Sequence, residues 1–598
     1  CLNIWAQDNQ GDSQLALQYY KDKEFEKAAP LYQKLYLETN IRTYFSYYII
    51  CLTELKKYEE AEKVIRKEIR NDKSDPANYL ELGYLFKAQN KIKESEDAYQ
   101  QAIAVLKPDQ NAYINLANLF LSRREYDYAE KTYLEARKNV KAPYGFQFEL
   151  AWVYQQKGKY DQMISEYLNL LELNESYIQA VQNRLQATVY NETEGDLQEM
   201  LKKNLVIRIQ KRPDKIIFVE MLIWLYIQDK DFEQALVQAK SLDKRLGEGS
   251  KRVYDIGVLA GDAEQYAVAS EAFQYIINKG INDAYYIDAK SDNLSVMYKK
   301  VIGSGKYTTA EVQNLEKLFS DALTDLGINK STFSIAMNKA KLQAFYLNDP
   351  DKALETTNQA IESGKLAPLQ IAEGKILLGD IYLFKMEIWE ATLIYAQVEK
   401  MYPNEPIGHD AKLKKARLAY FSGDFQWAEA QLSVLKAATS KLISNDAFGL
   451  SMLIKDNMVD DSEGKALLIF SRAEWLHYRR QDSLALLTLD SVISLFPQNV
   501  IVDDALYLKG KYYEAEGKYT EACAEYEKVV SGYPYDILAD DALYERAMLY
   551  YNQLNEPEKA RDLFKNLITG YPGSLYISDA RRMFRELRDK YPELKTNP

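Results

Sequence analysis

The stretch LGYLFKAQNKIKESEDAYQQAIAVLKP, Leu82 to Pro108, carries the pattern on which the rest of the chain aligns. Gly83 is small, Phe86 follows it by three residues, Ser95 by twelve, and Tyr99 comes four further on, before Ala102 and Pro108. Offsets of three and four place the apolar residues on one stripe of each of two successive helices. The small residue lets the first helix approach the second, and the large residues fill the space between them. Upstream and downstream the same position is held by Ala16, Ile49, Gly83, Ala117 and Ala151, spaced by 33, 34, 34 and 34 residues. The large partners are Tyr19, Leu52, Phe86, Phe120 and Tyr154. After them come Ala28, Ala61, Ser95, Ala129 and Met163, then Tyr32, Ile65, Tyr99, Tyr133 and Tyr167. An isolated helical hairpin cannot bury its apolar stripe, whereas stacked hairpins form a continuous core. Residues 11–171 are therefore predicted to be five hairpin units of an all-α solenoid.

From 172 to 331 the register loosens. Two units are traced there, through Ile223, Tyr226 and Ala235 and through Gly257, Ala269 and Phe273, 34 residues apart. Segments 173–210 and 283–331 read as helical without aligning, so an irregular helical middle is expected, with a change of geometry or a hinge. Repeats resume over 332–598, through Ala353 and Ala360, Leu378-Gly379 with Tyr382, Ala391 and Tyr395, Ala416 and Ala428, Ala473 and Ala485, Gly510 and Ala522, and Ala547 and Ala560. Several of these units carry a linker that the N-terminal half lacks, an aromatic-Pro pair followed by Asp and Ala. Its examples are Tyr402-Pro403 with Asp410-Ala411, Phe496-Pro497 with Asp503-Asp504-Ala505, Tyr533-Pro534 with Asp540-Asp541-Ala542, and Tyr571-Pro572 with Asp579-Ala580. Proline halts one helix, and the carboxylates favour the positive end of the next helix dipole.

These repeats resemble the tetratricopeptide-repeat (TPR) superfamily over some four fifths of the chain. The resemblance implies helical hairpins wound into a right-handed superhelix, here as two superhelical segments around the irregular middle. The linkers, Tyr571-Pro572-Gly573-Ser574 nearest of all, are similar to those of bacterial envelope TPR proteins of the outer-membrane assembly lipoprotein and Tol-Pal coordinator type, which act as scaffolds. The family implies a concave working surface lined by the first helix of each hairpin. On the third to fifth units it carries over to Tyr84, Lys87, Asn118, Leu121, Trp152 and Gln155, an aromatic, amide and single-cation lining suited to an extended peptide. Leu80 stands where the Lys of a chaperone-binding carboxylate clamp would be, so that ligand is not expected.

Composition narrows the function further. Of 598 residues 47% are apolar and 27% charged, the profile of an ordered chain. The 48 Tyr suggest half-buried helix surfaces rather than a dry core. A formal charge of -12 argues against nucleic acid, because phosphate binding needs a basic face. Lys412, Lys414, Lys415 and Arg417 read as a solvated face. Cys1, Cys51 and Cys523 have no metal-ligand spacing, and His409 and His477 read as surface or half-buried helix residues, so no metal or cofactor is expected. Residues 1–10 read as a processed or tether N-terminus. Either Cys1 is acylated, giving a membrane attachment through lipid alone, or the apolar run ends a signal peptide cleaved after Ala6. Both readings say exported, to the periplasm or the outer membrane.

Signs of catalysis are sparse. Gly303-Ser304-Gly305-Lys306 lacks the upstream Gly and the downstream Ser or Thr of a phosphate-binding loop and reads as a turn. The paired Asp503-Asp504 and Asp540-Asp541 read as helix-start residues rather than as general acid and base. The expectation is a non-enzymatic scaffold of the bacterial cell envelope that holds partner proteins. The alternatives are a cell-wall or carbohydrate-acting enzyme with a helical-toroid body, and a cytoplasmic TPR adaptor.

Overall fold

The computed structural model describes residues 2–141, 145–189, 196–247, 249–303, 305–438, 441–459 and 463–591. Cys1, the candidate lipidation site, lies outside the described residues, as does Ser304 of the Gly-rich turn. Among the described residues all regular structure is helical, in 32 α-helices with one short 3-10 turn and one π-helical turn. No helix among them is long and apolar enough to cross a membrane. The chain divides into two compact units, Cys1–Arg245 and Leu246–Pro598.

The first unit is a run of antiparallel hairpins. The five expected from the repeat are α1 (Leu2–Lys21) with α2 (Phe25–Thr39), α3 (Arg42–Glu54) with α4 (Tyr58–Asn71), α5 (Pro76–Ala88) with α6 (Ile92–Ala104), α7 (Gln110–Ser122) with α8 (Tyr126–Asn139), and α9 (Gln147–Gln156) with α10 (Tyr160–Leu173). After a 3-10 turn at Glu175–Tyr177 come α11 (Ile178–Val189), α12 (Asp196–Lys211), α13 (Ile216–Gln228) and α14 (Phe232–Leu246). Helix α12 packs on α10 and α13, and α11 also meets α13. Val181, Leu185, Leu197, Leu201 and Leu205 are buried at helical spacing in 173–210, where the sequence offers no aligned small residue.

In the second unit α15 (Lys251–Asp262) pairs with α16 (Tyr266–Ile277), and the longer α17 (Tyr286–Gly303) with α18 (Thr309–Leu326). Next, α19 (Phe333–Lys341) runs into a π turn at Leu342–Tyr346 and pairs with α20 (Pro350–Glu362). The pairs α21 (Pro368–Phe384) with α22 (Ile388–Met401) and α23 (Pro406–Phe421) with α24 (Phe425–Ala438) follow. A single helix, α25 (Lys441–Asn457), then interrupts the alternation. Hairpins resume with α26 (Lys465–Tyr478) and α27 (Asp482–Leu495), α28 (Ile501–Ala515) and α29 (Tyr519–Gly532), and α30 (Leu538–Asn552) and α31 (Pro557–Gly570). Helix α32 (Ile577–Lys590) buries Ala580, Met583 and Leu587 and turns Arg581, Arg582 and Arg585 outward.

The small-residue position works as its spacing implies. A Cβ added to Gly83 would sit 2.4 Å from the Tyr99 ring, and one on Gly510 would sit 2.4 Å from the Tyr526 ring. The tyrosines at this level therefore differ from expectation. Tyr32, Tyr99, Tyr133, Tyr167, Tyr395 and Tyr526 are among the most completely buried large side chains, and the rings of Tyr99, Tyr395 and Tyr526 close over Gly83, Gly379 and Gly510 of their own hairpins. In the linkers, Phe496, Tyr533 and Tyr571 are the C-cap residues of α27, α29 and α31, and the paired aspartates fall in the first turns of α28 and α30. Asp410 departs from that plan: α23 starts at Pro406, which puts Asp410 beyond the first turn. The basic run beside it is also not a solvated face. Lys412 and Lys415 both pair with Glu399 of α22, and Lys414 donates to both oxygens of Asp380 at 2.9 and 3.2 Å, so these lysines tie neighbouring hairpins together.

Candidate functional site

The first helices of successive hairpins line two adjoining depressions in the first unit. One is a recess of about 310 Å³ lined by Asn118, Leu121, Tyr133, Phe148, Glu149, Trp152, Tyr167 and Arg184. The other is a cleft of about 560 Å³ lined by side chains of α1, α3, α5 and α7, among them Tyr20, Arg42, Tyr47, Glu81, Tyr84 and Arg123. Helix α7 contributes to both, so a segment lying across α7 meets both.

Six residues were expected to line this surface, and the structure uses them in two ways. Asn118, Leu121 and Trp152 come together in the recess, with Trp152 37% exposed. Tyr84 sits in the cleft with the Arg123 guanidinium 4.3 Å above its ring. Lys87 is drawn to the next repeat, where its ammonium donates to both Glu125 oxygens at 2.7 and 2.8 Å. Gln155 likewise donates to the Thr188 hydroxyl of α11 at 3.0 Å. These last two spend hydrogen-bonding capacity on joining hairpins.

Sequence reasoning missed much of the wall. Tyr133 and Tyr167 were read as packing residues, yet both also face the recess. The Phe148 ring stands edge-on to Tyr167 at 5.6 Å, which fixes the recess floor. In the cleft, Arg123 donates to Glu81 at 2.6 Å, and Ser46 donates to the other Glu81 oxygen at 2.5 Å. Side-chain exposures of 9% for Arg123 and 3% for Glu81 make this a buried ion pair that locks α7 to α5. Burial raises the hydroxyl pKa of Tyr84, Tyr133 and Tyr167, with Arg123 pulling Tyr84 and Arg184 pulling Tyr167 the opposite way. All three remain protonated donors at neutral pH.

The second unit has a different interior. Around a recess of about 320 Å³, Tyr395 and Lys414 both donate to Asp380, Tyr420 donates to Glu474 at 2.6 Å, and the His477 ring stacks on Tyr512 at 3.9 Å. Burial pushes the Asp504 carboxyl up to about 8, helped by Asp503, Glu474 and Asp456, while a hydrogen bond from Asn457 opposes the shift. Asp504 thus starts its helix as expected and is also a member of a buried acidic cluster. Among the described residues no group of His, Cys, Asp and Glu is arranged to hold a metal.

No curated protein sequence matches the chain. Similar solved structures include that of Naa15/Naa10 bound to HypK-THB, at 12% identity and TM-score 0.26, covering 99% of this chain and 94% of that one. Another is a tetratricopeptide repeat protein from Parabacteroides merdae, at 14% identity and TM-score 0.27, covering 50% and 98%. A third is yeast Tom70, at 14% identity and TM-score 0.28, covering 81% and 95%. Tetratricopeptide repeat family models match residues 80–145, residues 144–177, and residues 504–534 and 541–574. The matched segments fall on the hairpins that form the recess and on those that follow α27, and over them the chain is built of tetratricopeptide repeats.

Proposed function

We propose that this chain is a non-enzymatic scaffold that docks partner proteins, as extended segments, on the inner surface of its first unit. The observation that carries this reading is the meeting of Asn118, Leu121 and Trp152 from the first helices of two consecutive hairpins around one recess with aromatic walls. A large, partly exposed Trp beside an accessible amide offers a binding segment both a flat apolar surface and hydrogen bonds to its backbone. The resemblance of the Tyr571-Pro572-Gly573-Ser574 linker to envelope TPR proteins supports a place in the bacterial cell envelope, with envelope proteins as partners.

The test is crosslinking in the source cells followed by capture on the full chain, comparing the natural sequence with a Leu121→Ser, Trp152→Ala double variant. Loss of the captured protein with an unchanged circular dichroism spectrum is expected. Undiminished capture by the double variant would remove the inner surface as the docking site. Fractionation of the same cells addresses location, and recovery of the native chain with cytosolic markers would remove the envelope assignment.

A further inference from the structure

The recess offers more hydrogen-bond donors than acceptors. At the equivalent level of other hairpins a carboxylate accepts from the buried tyrosine: Tyr99 donates to Glu125 at 3.3 Å, Tyr395 to Asp380 at 2.7 Å and Tyr526 to Glu514 at 2.9 Å. Tyr133 and Tyr167 are just as buried, at 1% and 2% exposure, yet no described group accepts from either hydroxyl. The sequence supplies part of the reason, since Lys159 stands one repeat after Glu125 and removes the acceptor. Tyr32 also has an unbonded hydroxyl, but that one is sealed in the core, whereas Tyr133 and Tyr167 line an open recess. Two donor hydroxyls that open into one recess and have no acceptor in the protein are free to bond a ligand that brings acceptors.

Charge and shape narrow the class. Glu149 and Arg184 both line the recess, so its net charge is close to zero and neither an acidic nor a basic side chain is favoured. The remaining wall is flat and apolar, made by Trp152, Phe148 and Leu121. A polyproline II helix fits these terms: its carbonyls make no internal hydrogen bonds, its prolines bring no N–H to compete, and its rings lie well on aromatic faces. Resting on the docking role of the inner surface, we propose that this recess binds a proline-rich segment of the partner. Carbonyls of that segment accept from Tyr133 and Tyr167 while a proline ring lies against Trp152.

The experiment is calorimetric titration of the full chain with three synthetic peptides, built on repeats of Pro-Pro-Leu, Ala-Ala-Leu and Glu-Glu-Leu. The proline peptide alone is expected to bind, with an affinity little changed by added salt. Tyr133→Phe and Tyr167→Phe, which delete a donor and keep the ring, are each expected to weaken it about fivefold, the equivalent of one hydrogen bond. Trp152→Ala is expected to abolish it. Failure of the proline peptide to bind, unchanged affinity in both Phe variants, or preference for the acidic peptide with a steep salt dependence would each overturn the proposal. Should the proline peptide fail while Leu121→Ser, Trp152→Ala still loses the natural partner, the docking surface stands and only the proline assignment falls.

Discussion

The interior of the first unit is held by cross-links between successive hairpins, whereas that of the second unit is crossed by contacts that skip a hairpin. In the first, the cross-links run between successive hairpins, as when Arg123 of α7 reaches Glu81 of α5, and cavities remain beside them. In the second, α26 reaches back past α23 to α21: the Trp475 indole donates to the Leu383 carbonyl, the Tyr478 hydroxyl to that of Asp380, and the Arg479 guanidinium to that of Phe384. Trp475 also stacks on Phe421 at 5.8 Å, and Arg480 extends further to the Tyr346 hydroxyl in the π turn. The departure from strict alternation is α25, which intervenes between α24 and α26 and leaves α26 packed directly on α23. The same hairpin plan therefore leaves depressions walled by neighbouring hairpins in one place and a recess bridged by longer-range contacts in another, and one extra helix accompanies the change.

The largest expected way to break this contrast is Trp475→Ala. It removes a nearly buried indole and its hydrogen bond and should destabilise the second unit by about 3–5 kcal/mol, as large-to-small core changes do. Hydrogen exchange should show the loss in helices α21 to α28 while protection of α5 to α10 is unchanged, because repeats couple mainly to their neighbours. Equal loosening of both regions would contradict the independence of the two interiors. In the first unit, Arg123→Ala should cost about 3 kcal/mol by leaving Glu81 buried and unpaired, and a second change of Glu81 to Leu should restore much of it. Denaturant midpoints of the single and double variants check this.

Gly83→Val should cost about 1–3 kcal/mol, since the added atoms meet the Tyr99 ring, a neighbour held in place by its own burial. Gly11, with nothing near its Cβ, serves as the matched control. A last expectation concerns pH. The Asp504 carboxyl is raised to about 8 in the folded chain, so the folded state holds a proton that the unfolded chain releases above about pH 4. Its contribution is present below pH 4 and is lost as pH rises toward 8. Asp504→Asn, which mimics the protonated acid, should flatten that part of the profile of melting temperature against pH. A variant profile parallel to the original would show that Asp504 does not titrate in this range.

How legible the fold was follows from the range of the interactions. The 33- and 34-residue spacing over 11–171 is legible because a small residue and the ring that covers it, as with Gly83 and Tyr99, belong to one hairpin, a local pair. Register was lost at 173–210 because the buried apolar residues of α11 and α12 are Val181 and four leucines, and such spacing without a small-residue anchor does not date a repeat. Helix α25 was invisible for a related reason: between Ala428 and Ala473 nothing in the sequence distinguishes an extra helix from a long unit. Lys412, Lys414 and Lys415 look like any solvated helix face until α21 and α22 bring Asp380 and Glu399 against them.

The candidate site divides along the same line. By itself the sequence determined an all-α hairpin array, which follows from helical periodicity within one repeat; that the first helix of each hairpin lines the working surface, with Asn118, Leu121 and Trp152 on it, was what the resemblance to TPR proteins implied. Only the tertiary structure decided that Lys87 and Gln155 would be consumed in joining hairpins, that Tyr133 and Tyr167 would face a recess without an acceptor, and that Trp475 would reach back to the Leu383 carbonyl of α21. Those outcomes depend on which side chain the next repeat, or the one after it, brings within hydrogen-bonding distance, and a linear pattern holds no record of that distance.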